Sequence, residues 1–296
     1  MNVGSARAST TAVIVSAVRT PIGRFLGGLA PLTAPHLGAI AIREAVDRSR
    51  IDPDEVEEVI FGNVVQGGVG QAPARQAALA AGLPATVSAV TINKVCGSGL
   101  KAVMLAAQAI RAGDLSVAVA GGQESMSNAP FYLYGARQGV KFGDQTLVDG
   151  LIRDGLWCSF CDVHMGGHAE YTARKAGISR EMADEFSAES HRKAVDAMRS
   201  GRFEAEIVPV EVPGRKGTTV VREDEGPRAD TDRDMLGRLR PAFARDAPAE
   251  VTDPVVTAGN ASSMNDGASA LVVTSEEYAR ANELEIVVPA SMTQTR

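Results

Sequence analysis

Aromatic residues are scarce in this chain, at 4% of its 296 residues. That disfavours a sandwich plugged by large rings, and abundant Ala, Val and Gly suit closely layered helices and sheets instead. Cysteine is nearly absent: Cys96, Cys158 and Cys161 are the three present, too few for a disulfide framework at this length. They fit a reducing compartment, so a cytoplasmic location is expected. There is no long basic run, and 30 Lys and Arg stand against 36 Asp and Glu for a net charge of −6. Nucleic acid is therefore not an expected partner. A phosphate-bearing ligand stays open, because single arginines and helix N-termini bind anions on acidic proteins. Apolar runs are short, so no membrane partner is expected. The first eleven residues carry one arginine and no apolar stretch, unlike a secretory signal.

What is present is enough apolar material, 45%, for one large α/β domain or two smaller units. Residues 12–18 read as a first strand ending at Arg19-Thr20-Pro21-Ile22-Gly23. Leu37, Ile40, Ala41, Ala45 and Val46 recur at helical spacing before Pro53. Residues 56–65 read as strand, 71–81 as helix, 87–95 as strand. Leu100, Val103, Met104, Ala107 and Ile110 trace a helix face that ends at Gly113. Residues 117–120 are apolar throughout, as in a strand covered on both faces. Such alternation implies βαβ units and a mostly parallel sheet.

The alternation lapses near Gly122. Residues 125–248 read as a large insertion over the sheet, of the kind that shapes ligand sites. They hold one clear helix, 179–200, with Met182, Phe186, Ala194 and Met198 on one side. A hairpin, 207–212 with 218–221, follows it. Residues 255–257 and 270–274 look like core again, and 286–296 carry no trusted signal. The expected division is thus 1–124, an insertion at 125–248, and a return to the sheet over 249–296 with an atypical tail.

Cys96 lies in Asn93-Lys94-Val95-Cys96-Gly97-Ser98-Gly99, between an expected strand and an expected helix. The glycines there are expected to supply positive φ and close substrate approach. The unpaired N–H groups of the helix's first turn favour thiolate, which is the nucleophilic form. The Cys96 N–H is expected to face an oxyanion formed on an attacked thioester. The residues alone leave equally open a buried cysteine acting as a small hydrophobe.

Residues 93–102 resemble the nucleophile segment of thiolases. Other segments similar to that family follow in order. They are Arg19-Thr20-Pro21-Ile22-Gly23-Arg24-Phe25, Gly121-Gly122-Gln123-Glu124-Ser125-Met126-Ser127, His164-Met165-Gly166, Thr257-Ala258-Gly259-Asn260-Ala261-Ser262 and Asn265-Asp266-Gly267-Ala268. The resemblance spans residues 12–275. It implies the first half of the thiolase fold: α/β, a mixed, mainly parallel sheet flanked by helices, with a large loop-domain insertion. It implies acyl transfer between coenzyme A thioesters through an acyl-Cys96 enzyme, with acyl-CoA or coenzyme A as partner and a homo-oligomeric assembly. No cofactor, metal or prosthetic group is implied. The resemblance also places His164 and Met165 beside the pantetheine arm, Ser262 against pantetheine, and Arg228 near the adenine end. A guanidinium suits a planar base or a phosphate; a solvated loop charge is the plain alternative for Arg228. Tyr171 departs from the Asn usual after the family's Ala-Glu pair.

Cys158-x2-Cys161-x2-His164-x3-His168 has the look of a zinc clip, and Trp157-Cys158-Ser159-Phe160-Cys161 of a thioredoxin motif. Four ligands so close would strain a tetrahedron, and the flanking glycines do not suit a strand opening into a helix. The expectation is therefore that these side chains pack the floor of the acyl pocket. The family's Asn-Glu-Ala-Phe, Gly-His-Pro and Cys-x-Gly motifs do not occur in this sequence. Resemblance ends after about residue 284, and the expected cause is an early stop or frame change. The alternative function is then a non-catalytic thiolase-like chain that binds acyl-CoA.

Overall fold

The computed structural model describes residues 11–215 and 217–289. Its strands in chain order are β1 (Ala12–Arg19), β2 (Gly23–Arg24), β3 (Glu58–Gly62), β4 (Ser88–Ile92), β5 (Val117–Ser125), β6 (Phe131–Tyr132), β7 (Val148–Asp149), β8 (Trp157–Cys158), β9 (Val163–His164), β10 (Val210–Gly214), β11 (Gly217–Val221), β12 (Asn265–Ser275) and β13 (Val288–Pro289). The α-helices are α1 (Ala34–Ser49), α2 (Pro73–Ala81), α3 (Ser98–Ala112), α4 (Met165–Ala176), α5 (Arg180–Arg199), α6 (Arg233–Gly237) and α7 (Glu276–Ala281). The chain divides into two units. One holds 1–128, 206–222 and 265–296; the other holds 129–205 and 223–264.

The first unit is built on a sheet in the order β13-β1-β12-β5-β3-β4, with β2 paired to β12. β3 runs parallel to both β4 and β5, as two crossover helices require. β12 enters antiparallel between β1 and β5. The sheet is thus mixed: β1, β3, β4 and β5 point one way, and β12 and β13 oppose them.

Both faces are covered, which explains why the β5 sequence is apolar without alternation. Val117, Val119, Val59 and Phe61 point into one apolar cluster with Leu37, Ile42 and Val46 of α1 and Ala74, Ala77 and Ala78 of α2. Ala118, Ala120 and Ile60 point the other way, onto Ala102, Ala106, Ala107 and Ile110 of α3. That second layer is largely alanine, so helix and strands approach closely. Burying a side chain the size of Val or Phe contributes roughly 1.5–3 kcal/mol, and losing one leaves a cavity as well.

The hairpin β10–β11 belongs to this sheet unit and not to the insertion in which the sequence placed it. Val208, Val210 and Val212 are buried in the first cluster. The segment before the hairpin is tied to β1 by Arg19 N to Glu206 O at 2.8 Å and Val208 N to Arg19 O at 2.8 Å. Residues 255–257 differ in the other direction. They lie in the second unit, where the Glu170 carboxylate accepts from Val255 N (2.8 Å) and Val256 N (2.9 Å).

The second unit is framed by buried polar side chains more than by an apolar core. Asp184 is buried and accepts from Arg180 Nε at 2.6 Å and Asn260 Nδ2 at 2.9 Å. Arg180 also donates to the carbonyls of Leu236 and Leu239. α5 forms as expected, capped by Ser179 Oγ, which accepts from Met182 N. Its apolar side is partly open: Phe186 is 78% exposed and Met182 is exposed as well, while Ala194 and Met198 are half-buried. Helix α4 was not visible as a periodic pattern, because its N-terminal turn holds two glycines and its buried positions are Gly166, Gly167 and Glu170.

Candidate active site

β4 delivers the chain to a tight elbow before α3, and hydrogen bonds specify that elbow. Asn93 Oδ1 accepts from Val95 N at 2.9 Å, a local side-chain turn. Ser98 Oγ accepts from Lys94 N at 2.8 Å and donates to Val95 O at 2.6 Å. Gly97 N and Ser98 N close the turn onto Lys94 O and Val95 O, each at 3.1 Å. Cys96 sits at the apex and is exposed. That removes the reading of a buried hydrophobe.

The positive φ at this elbow belongs to Val95, at 49°, and not to a glycine. Gly97 has φ −88° and serves as the N-cap of α3. A β-branched residue in the left-handed region is strained by roughly 1–3 kcal/mol, and here it adjoins the candidate nucleophile. The glycine that is sterically required lies elsewhere, on β3. A Cβ at Gly62 would meet Ser98 Cβ at 2.6 Å, Ser98 C at 2.7 Å and Gly99 N at 2.8 Å. The first turn of α3 therefore rests directly on the end of β3.

A further layer holds the elbow. Glu124, near the end of β5, accepts from Asn63 Nδ2 (2.6 Å) and Val64 N (2.8 Å), with Val65 N at 3.3 Å. Burial raises its carboxyl above the ordinary value, opposed by these hydrogen bonds. Val64 O in turn accepts from Asn93 Nδ2 at 3.3 Å. A continuous path thus runs from Glu124 through the loop after β3 to Asn93 and Val95, beside Cys96. The sequence contained Glu124 within a recognised segment, but nothing in its spacing gave it this positioning role.

The four expected coenzyme A contacts all lie in the second unit. His164 ends β9 and caps α4, its Nδ1 accepting from Gly166 N at 3.0 Å. Its ring stacks on Phe243 with centroids 4.9 Å apart. Met165 follows as the first residue of α4, and it is exposed. Arg228 and Ser262 are exposed too. Arg228 N donates to His191 Nδ1 at 3.2 Å, and its Nε lies 3.8 Å from Asp230. It lines a cleft of about 300 Å³ beside α5, together with Arg192, Arg199 and Arg233 as well as acidic side chains. The structure brings His164 and Met165 together but joins neither to Arg228 or Ser262 by a direct contact.

Cys161 is exposed, Cys158 is half-buried, and Phe160 is 98% exposed. These side chains do not pack a floor within their unit, contrary to expectation, because the β8–β9 turn carries them outward. The Cys158 thiol is lowered to about 7, chiefly by the backbone N–H of Cys161, then by His168 and the Phe160 N–H; the Cys161 thiol is raised by its neighbour.

An exposed cysteine at a strained strand-to-helix elbow, just before a fifteen-residue helix, is a candidate nucleophile. Comparison with known proteins supplies the family. Residues 12–277 match the thiolase N-terminal domain. Acetyl-CoA acetyltransferases are similar to this chain: that of Pseudomonas aeruginosa is 51% identical over 93% of this chain and 68% of its own length. That of Escherichia coli is 53% identical over 91% and 67%. The crystal structure of the Bacillus anthracis acetyl-CoA acetyltransferase superposes with a TM-score of 0.90 at 40% identity, covering 95% of this chain and 69% of that one. The chain belongs to the thiolase family, and its sheet unit has the fold of that family's N-terminal half.

Proposed function

We propose that this chain is an acyltransferase that moves acetyl or longer acyl groups between coenzyme A thioesters through Cys96. The thiolate attacks the thioester carbonyl carbon and the carbonyl electrons move onto oxygen. When they return, the bond to the coenzyme A sulfur breaks and coenzyme A leaves as its thiol after taking a proton. The acyl group then passes from Cys96 to coenzyme A in thiolysis, or to the α-carbanion of a second acyl-CoA in condensation. None of these steps calls for a metal or prosthetic group.

The observation that carries this reading is the exposed Cys96 sulfur at the head of α3. The helix N-terminus favours the negative charge of an oxyanion formed beside it. His164, Met165, Arg228 and Ser262 are proposed to hold the pantetheine and adenine portions; Met165, Arg228 and Ser262 are exposed and His164 is half-buried. A homo-oligomer in the cytoplasm completes the reading. The oligomer is supported by β4, which lies at an edge of the main sheet, and by exposed Phe131, Tyr134, Val140 and Phe142.

The test is incubation of the purified chain with acetyl-CoA followed by peptide mass spectrometry, alongside an acetoacetyl-CoA thiolysis assay. One acetyl group on the Cys96 peptide, absent in Cys96→Ala, is expected. An unmodified Cys96 thiol after exposure to excess acetyl-CoA would overturn the proposal.

A further inference from the structure

The β8–β9 turn and the first turns of α4 gather a second group of soft side chains. Cys158 pairs with Val163 and Trp157 with His164 across the two short strands. The turn between them is closed by Asp162 N donating to Cys158 O at 2.9 Å. Asp162 has φ 54°, and its carboxylate accepts from Trp157 Nε1 at 2.9 Å. This pins the backbone so that Cys158 and Cys161 face one another. α4 starts immediately afterwards and brings His168 round to the same place. One ligand atom from each of Cys158, Cys161 and His168 lies within 4.8 Å of the other two.

The sequence objection to a metal here was that four ligands in eleven residues would strain a tetrahedron. The structure removes it, because only three converge. His164 is committed elsewhere, its Nδ1 bonded to Gly166 N and its ring stacked on Phe243. Zinc–sulfur bonds of roughly 2.3 Å and zinc–nitrogen bonds of about 2.0 Å put neighbouring ligand atoms of a tetrahedron roughly 3.5–3.8 Å apart. Closing to that spacing needs a shift of about 1 Å, within reach of side-chain rotation on an exposed turn. Two thiolates and an imidazole select soft or borderline divalent ions over magnesium and calcium.

We propose that Cys158, Cys161 and His168 bind one zinc-class divalent cation, with a fourth coordination position open to solvent. This site uses no residue assigned to acyl transfer and does not depend on that reading. A disulfide between the two cysteines is the competing use of the same sulfurs, but it gives the converging imidazole no part.

The test uses the reduced, metal-free chain, titrated anaerobically with Co²⁺ and then with Zn²⁺ in competition with a chromophoric chelator. Expected are sulfur-to-cobalt charge-transfer bands and tetrahedral visible bands that saturate at one equivalent and are displaced by Zn²⁺. Cys161→Ser and His168→Asn should each weaken Zn²⁺ binding at least tenfold with unchanged circular dichroism. Cys96→Ser should bind as the parent does. Failure to saturate at one equivalent at micromolar protein would overturn the proposal. So would equal affinity in the Cys161 and His168 variants, dependence on Cys96, or a chain that forms the Cys158–Cys161 disulfide in air but binds no metal when reduced.

Discussion

Gly62 supports the N-terminus of α3 by having no side chain: a Cβ there would stand 2.6 Å from Ser98 Cβ and 2.8 Å from Gly99 N. Two of the three nearest atoms are backbone, so no rotamer change relieves the clash. Gly62→Ala must lift α3 away from β3 or bend the strand. The expected cost is about 1–3 kcal/mol, the usual range for overpacking a close contact. Ser98 Oγ also bonds Lys94 N and Val95 O, so the elbow should move with the helix. Thermal unfolding should show a lowered midpoint, and acetylation of Cys96 should slow by more than the lost stability explains. Unchanged acetylation in a destabilised variant would show that the elbow tolerates the shift.

Val95 carries the opposite prediction. Its φ of 49° is costly for a β-branched residue and free for glycine, and its side chain is 54% exposed. Val95→Gly should raise stability by about 1 kcal/mol, the strain relieved less the chain entropy that glycine adds to the unfolded state. The elbow then loses its rigidity, so stability and Cys96 acetylation should change in opposite directions. Denaturant unfolding and acetylation kinetics on the same preparation decide it.

Glu124 organises the loop behind the elbow. Glu124→Ala leaves Val64 N–H, Val65 N–H and the Asn63 amide without their acceptor, and each buried orphan donor costs about 1–3 kcal/mol. A large loss of stability is expected, measurable by urea unfolding. Its pH dependence has a definite sign. Burial raises the carboxyl above its ordinary value of 4.5, so the folded state holds a proton more readily than the unfolded one. The stability separating the parent from Glu124→Ala should be greatest at low pH and shrink as pH rises through the raised value.

How much of this was legible beforehand varies with the range of the interaction. β1, α1, α2 and α3 were visible because their patterns are local and Pro or Gly lies near their ends, and β5 because its apolar run is continuous. The elbow around Cys96 was visible as a motif, but its strain was assigned to glycine, since sequence alone does not reveal which residue takes the left-handed turn. The place of β12 between β1 and β5 was hidden, because strand order depends on contacts about 250 residues apart, such as Val13 with Thr274. The hairpin β10–β11 was misassigned for the same reason: its valines join the first apolar cluster, and the segment before it is tied to Arg19, far away in sequence. α4 escaped notice because glycine packs it, Gly166 against Phe243 and Gly167 against Asp246, and glycine leaves no apolar stripe to read.

Cys158 offers a titration that the folded turn alone should create. Its thiol is brought to about 7 by the Cys161 N–H first, then by His168 and the Phe160 N–H, while the Cys161 thiol moves up because it faces the first sulfur. The first proton should therefore leave the pair from Cys158. In metal-free, reduced protein, alkylation by iodoacetamide should reach half its limiting rate near pH 7 at Cys158 and only at higher pH at Cys161. His168→Ala should shift the Cys158 profile upward. Cys161→Ala should move it little, because the dominant N–H belongs to the backbone and survives the substitution. Unfolding in urea should return both thiols to about 8.5. The same depression should favour the folded state above that ordinary value, an advantage lost as pH falls through about 7. Equal profiles at the two cysteines in the folded chain would mean that the β8–β9 turn does not hold its N–H groups against Cys158.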